Sequence, residues 1–327
     1  MLGSGAWGTA IADLIARNIN QNVLLWSYEK HVAEKINSEL KNHKYLPNKK
    51  LSNKIIADSH LPCSNTEIIF VAIPSQFIFD FFKKTKDHFK KYKKKTYNFV
   101  ICSKGIDYKR KKLLSDVIID FFPKSNVAIL SGPSFAIEVV NRKPTAITLA
   151  TKSSQLASLT TTLLKNNYFR VYLTKDIIGV QINGTMKNVL AIAAGLTEGL
   201  NLGENARAAI LARGIKEIIR LVKAVGGKKD TVLGLSGLGD IILTSVSRSS
   251  RNYNFGFMLG RGKKVKNLIN INKQVTEGVD NIKVIYFLKE KYKVNMPIID
   301  AIYKVLTKNY SFNKAIQDLL SRPLSHD

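Results

Sequence analysis

The chain has 327 residues, which predicts two domains, and 45% of its residues are apolar, which allows a sizeable core. No apolar run approaches the roughly 20 residues of a membrane-spanning helix, and the first residues lack the basic segment that opens a signal peptide. Cys63 and Cys102 form no Cys-x-x-Cys pair, so we expect two reduced thiols in a cytoplasmic protein.

The charge balance is strongly basic. Lysine and arginine number 51 against 24 acids, which gives a net charge of +27 that is typical of nucleic-acid-binding proteins. Residues 81–99 interleave lysines with aromatic rings, as a single-strand binder does. The alternative is a helix that turns Phe81, Phe82, Phe89 and Tyr92 inward and exposes its lysines. We favour the helix, because the excess lysine is spread over the whole chain and diffuse charge bears on solubility.

Up to about residue 173, short apolar segments rich in β-branched residues alternate with stretches of helical spacing. Continuous apolar strands separated by helices predict a parallel sheet that is covered on both faces. We therefore expect residues 1–173 to form a doubly wound α/β domain. Its predicted strands are residues 22–27, 54–57, 67–74, 98–103, 126–134, 145–151 and 169–173.

After Asp176 the strand signals nearly vanish. Residues 174–327 are therefore expected to form an all-α domain, whose first helix is long and buried. The segments that follow a 3.6-residue period are residues 177–200, 205–225, 279–293 and 297–309.

The chain opens on a glycine-rich turn. Gly3, Gly5 and Gly8 have the spacing of a dinucleotide-binding turn, in which the three glycines permit a tight turn, close approach of a pyrophosphate and helix packing. The helix that follows would offer N–H donors and the positive end of its dipole to the phosphates. Such a turn normally follows a β-strand, but only Met1 and Leu2 precede it.

About twenty residues later, "WSYE" ends a predicted strand at the place where a ribose-recognising residue stands in such domains. Glu29 is either that ribose contact or an ordinary acid at a helix start. No arginine stands there to bind the 2′-phosphate of NADP, and Lys30 is the nearest cation in the sequence. The choice between NAD and NADP therefore stays open.

Two further loops follow predicted strands, at the sheet edge where open α/β sheets bind ligands. One carries Lys104, which only its position distinguishes from a surface lysine of this basic chain. The other, "SGPSFAIEV", turns into a helix. Gly132, Ser134 and the N–H groups that follow them either hold an anion or form a simple capped turn.

The most apolar predicted helix contains Lys187. Lysine is rarely buried without a partner, and a positioned amine can act as a general acid or base. The alternative is a side chain that reaches the helix edge, but the apolar flanks favour a functional amine. Asp240 is its predicted partner, or else a helix N-cap, and Thr244 follows on the same helical face.

Ser250, Arg251 and Asn252 form a compact polar cluster near the start of another helical segment. Arginine is suited to bidentate recognition of phosphate. The cluster is therefore a predicted phosphate site, with an ordinary polar loop as the alternative.

The order of these motifs is more specific than any one of them. Over nearly the whole chain it resembles the bacterial glycerol-3-phosphate dehydrogenases that use NAD or NADP. The stretches that carry the resemblance are "GSGAWGTA", "LLWSYE", "VAIPSQ", "SKGID", "SGPSFAIEV", "IIGVQINGTMKNVLAIAAG", "NARAAILARG", "GLSGLGDIILTSVSRSSRN", "VTEG" and "MPIIDAIYKVL".

The resemblance implies a Rossmann-like N-terminal domain, a helical substrate domain, and reversible reduction of dihydroxyacetone phosphate to sn-glycerol 3-phosphate with NADH or NADPH. It also implies a cytoplasmic homodimer that supplies glycerol 3-phosphate for phospholipid synthesis, without a metal, a specific nucleic acid or a membrane span. Lys187 matches the family's proton donor and acceptor. The residues that match its substrate contacts are Lys104, Gly132, Ser134, Asp240, Ser250, Arg251 and Asn252. The residues that match its cofactor contacts are Gly3, Gly5, Ala6, Trp7, Gly8, Tyr28, Lys104, Ala136, Arg251, Val275 and Glu277.

Two other functions stay open at this point. Related dehydrogenases of hydroxy acids or of 6-phosphogluconate share the architecture and a catalytic lysine, but "SRN" and "SGPSFA" argue against them. An inactive basic binding protein is the second alternative, but it would not need Lys187, Asp240 and the Arg251–Asn252 pair.

In the family, several apolar residues precede the first glycine and form a central strand. We therefore expect the start of this chain to lie downstream of the native one, with Met1 at an internal Val or Ile position. A decaying gene is the alternative. Without that strand its neighbours would expose backbone groups, each costing about 1–3 kcal/mol if buried unsatisfied.

Overall fold

The computed structural model describes residues 1–61, 66–91, 96–271, 276–308 and 310–323. Two compact units make up the chain: Met1–Asp107 with Lys112–Gln181, and Tyr108–Lys111 with Ile182–Asp327. The first unit combines strands and helices, and the described elements of the second are helical. The predicted fold class is therefore confirmed.

The strands of the first unit follow the predicted segments closely. Seven strands fall on the seven predicted ones, and the short β5–β6 hairpin was not predicted. The strands are β1 (Val23–Trp26), β2 (Ile55–Asp58), β3 (Ile69–Val71), β4 (Asn98–Ile101), β5 (Ile106–Asp107), β6 (Lys112–Leu113), β7 (Asn126–Ser131), β8 (Thr145–Thr151) and β9 (Phe169–Thr174).

The strands β1 and β2 pair with each other, and bridges through Leu2 link them to a five-stranded part in the order β3-β4-β7-β8-β9. The pairings are parallel except that of β7 with β8, which is antiparallel. The five-residue helix α5 (Ala136–Val140) connects these two strands. After this helix the chain enters β8, which runs back beside β7.

The first three residues lie between β1 and β3. Leu2 bridges in parallel to both Trp26 and Val71. Its N–H donates to the Phe70 carbonyl at 2.7 Å, and its own carbonyl accepts from Ala72 N–H at 2.7 Å. The Met1 ammonium donates to the Leu24 carbonyl at 2.7 Å, and burial lowers the pKa of this ammonium to about 5. These bonds satisfy backbone groups of both flanking strands, and the position of the native start stays a prediction.

The helices of the first unit cover both faces of its sheet. One apolar layer packs on residues such as Val100 and Cys102, and the other on Phe99 and Ile101, as expected where neighbouring strand residues point to opposite faces. Besides α5, these helices are α1 (Ala6–Ile19), α2 (Lys30–Glu39), α3 (Ser75–Lys90), α4 (Leu114–Phe121), α6 (Ser154–Leu164) and the start of α7 (Ile177–Gly199).

The basic, aromatic stretch forms α3. Phe82 and Phe89 are buried, and the Phe82 ring lies 5.6 Å from that of Phe99, edge to face. The helical interpretation is confirmed for these rings, while Tyr92 lies outside the described residues. Cys102 is a free thiol, and burial raises its pKa to about 12. Cys63 lies outside the described residues.

The described elements of the second unit are helices and one π-helical turn, Leu235–Gly239. The helix α7 is long and apolar enough, by length and composition, to cross a membrane, but 83% of its most apolar window is buried inside the protein, as in a core helix. The helices that follow it are α8 (Gly203–Ala224), α9 (Lys229–Leu233), α10 (Asp240–Val246), α11 (Arg251–Gly260), α12 (Val265–Ile271), α13 (Thr276–Lys291), α14 (Pro297–Thr307) and α15 (Phe312–Leu320).

Glycines bring α7 and α11 into backbone contact. A Cβ at Gly195 would overlap the Tyr253 carbonyl oxygen, and one at Gly256 would overlap the Ile192 carbonyl oxygen. Any side chain at these positions would force the helices apart. The crossing therefore fixes the start of α11 relative to α7.

Glu217 on α8 holds the start of α14. Its carboxylate is 1% exposed and accepts hydrogen bonds from the backbone N–H groups of Ile298 at 2.8 Å and Ile299 at 3.1 Å. Burial raises the pKa of Glu217 to about 7, although the two N–H groups and Arg220 oppose this shift.

This raised pKa predicts a stability change with pH. Between pH 4.5 and 7 the folded chain keeps a proton on Glu217 that the unfolded chain releases, so stability is greatest below this window and falls as the pH rises through it. We expect the free energy of unfolding of the wild type, relative to Glu217→Gln, to fall by up to about 3 kcal/mol between pH 5 and pH 8. Denaturant titrations at each pH measure it, with Glu204→Gln at an exposed glutamate as the control. Parallel pH curves for wild type and Glu217→Gln would contradict the assignment.

Candidate active site

The glycine turn is packed against the end of β3. Gly3 has φ +112°, and a Cβ there would lie 2.7 Å from the Ala72 carbonyl oxygen. A Cβ at Gly8 would overlap the Gly3 carbonyl oxygen. Both positions are therefore restricted to glycine by the protein itself.

Gly5 differs from its two neighbours in the motif. It is the N-cap of α1 in an extended conformation (φ −62°, ψ 174°), and a Cβ there would meet nothing within 4 Å. No side chain caps α1, and its first turn contains no acid. The open space and the N–H groups of Ala6 and Trp7 thus suit a phosphate, and the turn fits the dinucleotide that its spacing predicts. Within the described part of the chain, the Trp7 indole Nε1 is buried and has no hydrogen-bond partner.

The end of β1 carries the predicted ribose position. Tyr28 is 86% exposed, with its ring 6.5 Å from the Trp26 ring. Glu29 is the N-cap residue of α2, but its side chain makes no cap hydrogen bond. Its carboxylate instead accepts from the Lys44 ammonium and, at 2.8 Å, from the Tyr45 hydroxyl.

Three predicted substrate-binding residues meet at the carboxyl ends of β4 and β7. The Lys104 ammonium donates to the Gly132 carbonyl at 3.0 Å, and the Ser134 hydroxyl donates to the same oxygen at 3.0 Å. A Cβ at Gly132 would lie 3.2 Å from the Cα of Ile147, so this loop packs tightly on β8. Ala136, a predicted cofactor contact, begins α5 a few residues further on.

In the second unit, Lys187 pairs with Asp240 as the sequence predicted. The ammonium lies 2.7 Å from the Asp240 carboxylate, and the two side chains are 12% and 1% exposed. Thr244, on the same helical face as Asp240, also accepts from Lys187 at 3.2 Å and donates to the Asp240 carbonyl at 2.6 Å. The amine is therefore held at a defined place rather than extended to solvent.

The π-helical turn sets the position of Asp240. It ends at Gly239, which takes the N-cap position of α10, so Asp240 is the first residue of α10 and not its cap. A Cβ at Gly237 would overlap the Val232 carbonyl, which keeps this turn against α9. Such π-turns are frequent at functional sites.

The predicted phosphate cluster forms the start of α11. Ser250 is its N-cap, and the Ser250 hydroxyl accepts from the Tyr253 N–H at 3.3 Å. Arg251 is exposed, and Asn252 is half-buried. A Cβ at Gly278 of α13 would overlap the Asn252 side-chain oxygen, so this glycine leaves room for the amide.

Two predicted cofactor contacts, Val275 and Glu277, stay predictions. Val275 lies outside the described residues, and Glu277 belongs to α13 by its backbone. Among the residues that the structure describes, no group of three or more His, Cys, Asp or Glu side chains could hold a metal ion.

The comparison with family models matches both halves of the chain. The model described as the N-terminus of NAD-dependent glycerol-3-phosphate dehydrogenase matches residues 1–157, and the model of its C-terminus matches residues 176–317.

Curated relatives agree with the family models over the full length. Glycerol-3-phosphate dehydrogenase [NAD(P)+] of Rhodospirillum rubrum is 39% identical over 326 residues, covering 99% of this chain and 92% of the relative. The protein of the same name from Bacillus subtilis is 38% identical over 332 residues, covering 100% and 95%.

Solved structures lead to the same family. A crystal structure of glycerol-3-phosphate dehydrogenase from Coxiella burnetii has a TM-score of 0.90 at 36% identity and covers 98% of each chain. D-mandelate dehydrogenase with NADH, at 11% identity and a TM-score of 0.60 over 94% of this chain and 97% of the other, shares the fold alone. The resemblance predicted from the motifs is confirmed: the chain belongs to the NAD-dependent glycerol-3-phosphate dehydrogenase family.

Proposed function

We propose that this chain catalyses the reversible reduction of dihydroxyacetone phosphate to sn-glycerol 3-phosphate with NADH or NADPH. The observation that carries the proposal is the buried ion pair of Lys187 with Asp240, within a chain of this family. An ammonium that is held by a carboxylate in a largely buried place is suited to donate a proton to a substrate oxygen.

The cofactor contacts come from the first unit. The open space at Gly5 and the first N–H groups of α1 would hold the pyrophosphate, and the Trp7 indole N–H is a donor that a bound group would satisfy. When bound, the nicotinamide supplies or accepts the hydride. The protein's part is to bind this group and to orient the substrate carbon.

The substrate phosphate and hydroxyl groups need cations and polar donors. Arg251 at the start of α11 offers a planar fork of donors for a phosphate, and Asn252 beside it adds an amide. In the first unit, the resemblance assigns substrate contacts to Lys104 and Ser134, which both donate to the Gly132 carbonyl. Binding energy from the phosphate end would hold the reacting carbonyl in place.

Lys187 is the proton donor and acceptor of the proposed reaction. During reduction, negative charge develops on the carbonyl oxygen, and the Lys187 ammonium stabilises this charge and donates a proton to it. During oxidation, the neutral amine takes the proton of the substrate hydroxyl. Asp240 balances the ammonium charge and, with Thr244, fixes the direction of the Nζ atom.

The substitution Lys187→Ala tests this role. We expect turnover to fall by about 10²–10⁴-fold, because the general acid is lost, while the Kd for the nicotinamide cofactor stays within about twofold. The assay follows NADH and NADPH oxidation with dihydroxyacetone phosphate. Lys223→Ala, at an exposed lysine on α8, is the matched control.

Near-normal rates in Lys187→Ala would refute the assignment of the proton donor. The same assay with 2-oxo acids, and in the oxidative direction with 6-phosphogluconate, separates this function from those of related dehydrogenases. Faster reaction with either of these by the wild type would overturn the proposed substrate.

The glycine turn gives a second prediction. Gly5→Ala should lower the Tm only slightly, because its Cβ meets no protein atom and the remaining cost is that alanine is a poorer N-cap than glycine. It should weaken NADH binding more than roughly tenfold by filling the phosphate space. Gly8→Ala should instead lower the Tm by roughly 4 °C or more through its overlap with Gly3. Thermal melts and fluorescence titration measure both. An equal loss of Tm in the two variants would contradict the distinction.

The proposal extends to a cytoplasmic homodimer that supplies glycerol 3-phosphate for phospholipid synthesis. Light scattering after size-exclusion chromatography measures the assembly, with about twice the mass of one 36.5 kDa chain expected. A mass equal to that of a single chain would overturn the dimer.

A further inference from the structure

Glu29 is a carboxylate fixed in place at the end of β1. Its side chain is 24% exposed, and it accepts from the Lys44 ammonium on one oxygen and from the Tyr45 hydroxyl at 2.8 Å on the other. The hydrogen bond from Lys44 lowers the pKa of Glu29, so the group is ionised at neutral pH. Two partners from a segment fifteen and sixteen residues away thus hold one charged group.

A chain of hydrogen bonds ties Glu29 to the glycine turn. The Ser4 hydroxyl, inside the turn, donates to the Ser27 hydroxyl at 2.7 Å, and that hydroxyl donates to the Glu29 carbonyl at 2.9 Å. On the other side, the buried Asn42 amide donates to the Ser4 carbonyl at 2.8 Å and accepts from the Tyr45 N–H at 3.2 Å. The phosphate-binding turn and the carboxylate are therefore parts of one hydrogen-bonded assembly.

The chemistry of a carboxylate limits what it can bind. An ionised carboxylate only accepts hydrogen bonds, and its two oxygens have room for about four. Lys44 and Tyr45 occupy two of these, which leaves capacity for the hydroxyl donors of a ribose. A 2′-phosphate at the same place would bring further negative charge against Glu29.

Three nearby basic side chains pair with acids of the same segment, while Lys30 lies at a longer 3.7 Å from Glu34 and His31 is close enough to help lower the pKa of Glu29. Lys44 pairs with Glu29, and Lys35 lies 2.5 Å from Glu39. His43 lies 2.6 Å from the other oxygen of Glu39. A 2′-phosphate would have to compete with these carboxylates for its cations.

We infer that Glu29 makes this chain selective for NAD(H) over NADP(H), by accepting hydrogen bonds from the adenosine ribose and repelling a 2′-phosphate. The inference rests on the proposed function, since it concerns the cofactor of that reaction. It addresses a choice that the motifs leave open, because the motifs alone do not show that Lys44 and Tyr45 hold the Glu29 carboxylate in place.

Equilibrium binding tests it without turnover. Titration of the full chain with NADH and with NADPH, followed by nicotinamide fluorescence, gives a Kd for each. We expect the wild type to bind NADH at least roughly tenfold tighter than NADPH, the size of effect that one like-charge contact at a partly exposed site produces. Glu29→Gln should tighten NADPH binding by a similar factor and bring the ratio near one, because it removes the repulsion and releases Lys44.

Glu204→Gln is the control. It removes one carboxylate charge from an exposed side chain on α8, in the second unit, and it should leave the ratio unchanged. A wild type that binds both nucleotides equally, or NADPH more tightly, overturns the inference and leaves the proposed function intact. An equal change in both variants also overturns it. A wild type that binds neither nucleotide overturns the proposed function and this inference together.

Discussion

The second unit depends on one requirement: an ammonium placed in an apolar helix must meet a carboxylate. Lys187 stands on α7 with mostly apolar neighbours, and Asp240 reaches it at 2.7 Å. Breaking a buried pair leaves an unpaired charge, which costs about 3–5 kcal/mol. This cost keeps α7 and the start of α10 in the arrangement that pairs Lys187 with Asp240. The π-helical turn before Asp240 and the Thr244 hydroxyl one turn later both serve this geometry.

The strands could be predicted because their signal is local. Runs such as "EIIFVAIP" contain β-branched residues bounded by turn residues, and the sheet buries both of their faces. The direction of β8 has no such signal, since the residue pattern within a strand does not show whether it runs parallel or antiparallel to its neighbour. The β5–β6 hairpin consists of two-residue strands, which are too short for any period to appear.

Some site residues can be predicted from residue type and position in the sequence, whereas others become apparent only from contacts that the fold creates. Lys104 and Ser134 could be placed because loops after parallel strands meet at one sheet edge. The partners of Glu29 could not, because Lys44 and Tyr45 come after the whole of α2 and reach it only through the fold. The same holds for Gly256: only the packing of α11 on α7 shows that a side chain at this position would overlap a backbone carbonyl.

Among the described residues of the second unit, two buried carboxylates differ in their partners although both are enclosed. Glu217 and Asp240 are both almost fully enclosed. Glu217 accepts from two backbone N–H groups at a helix start, which are fixed donors with no proton to exchange, and it serves to cap α14. Asp240 accepts from a side-chain amine that can change its protonation state. In the proposed reaction, the partner rather than the degree of burial therefore distinguishes the carboxylate that would support proton transfer from the one that supports the fold.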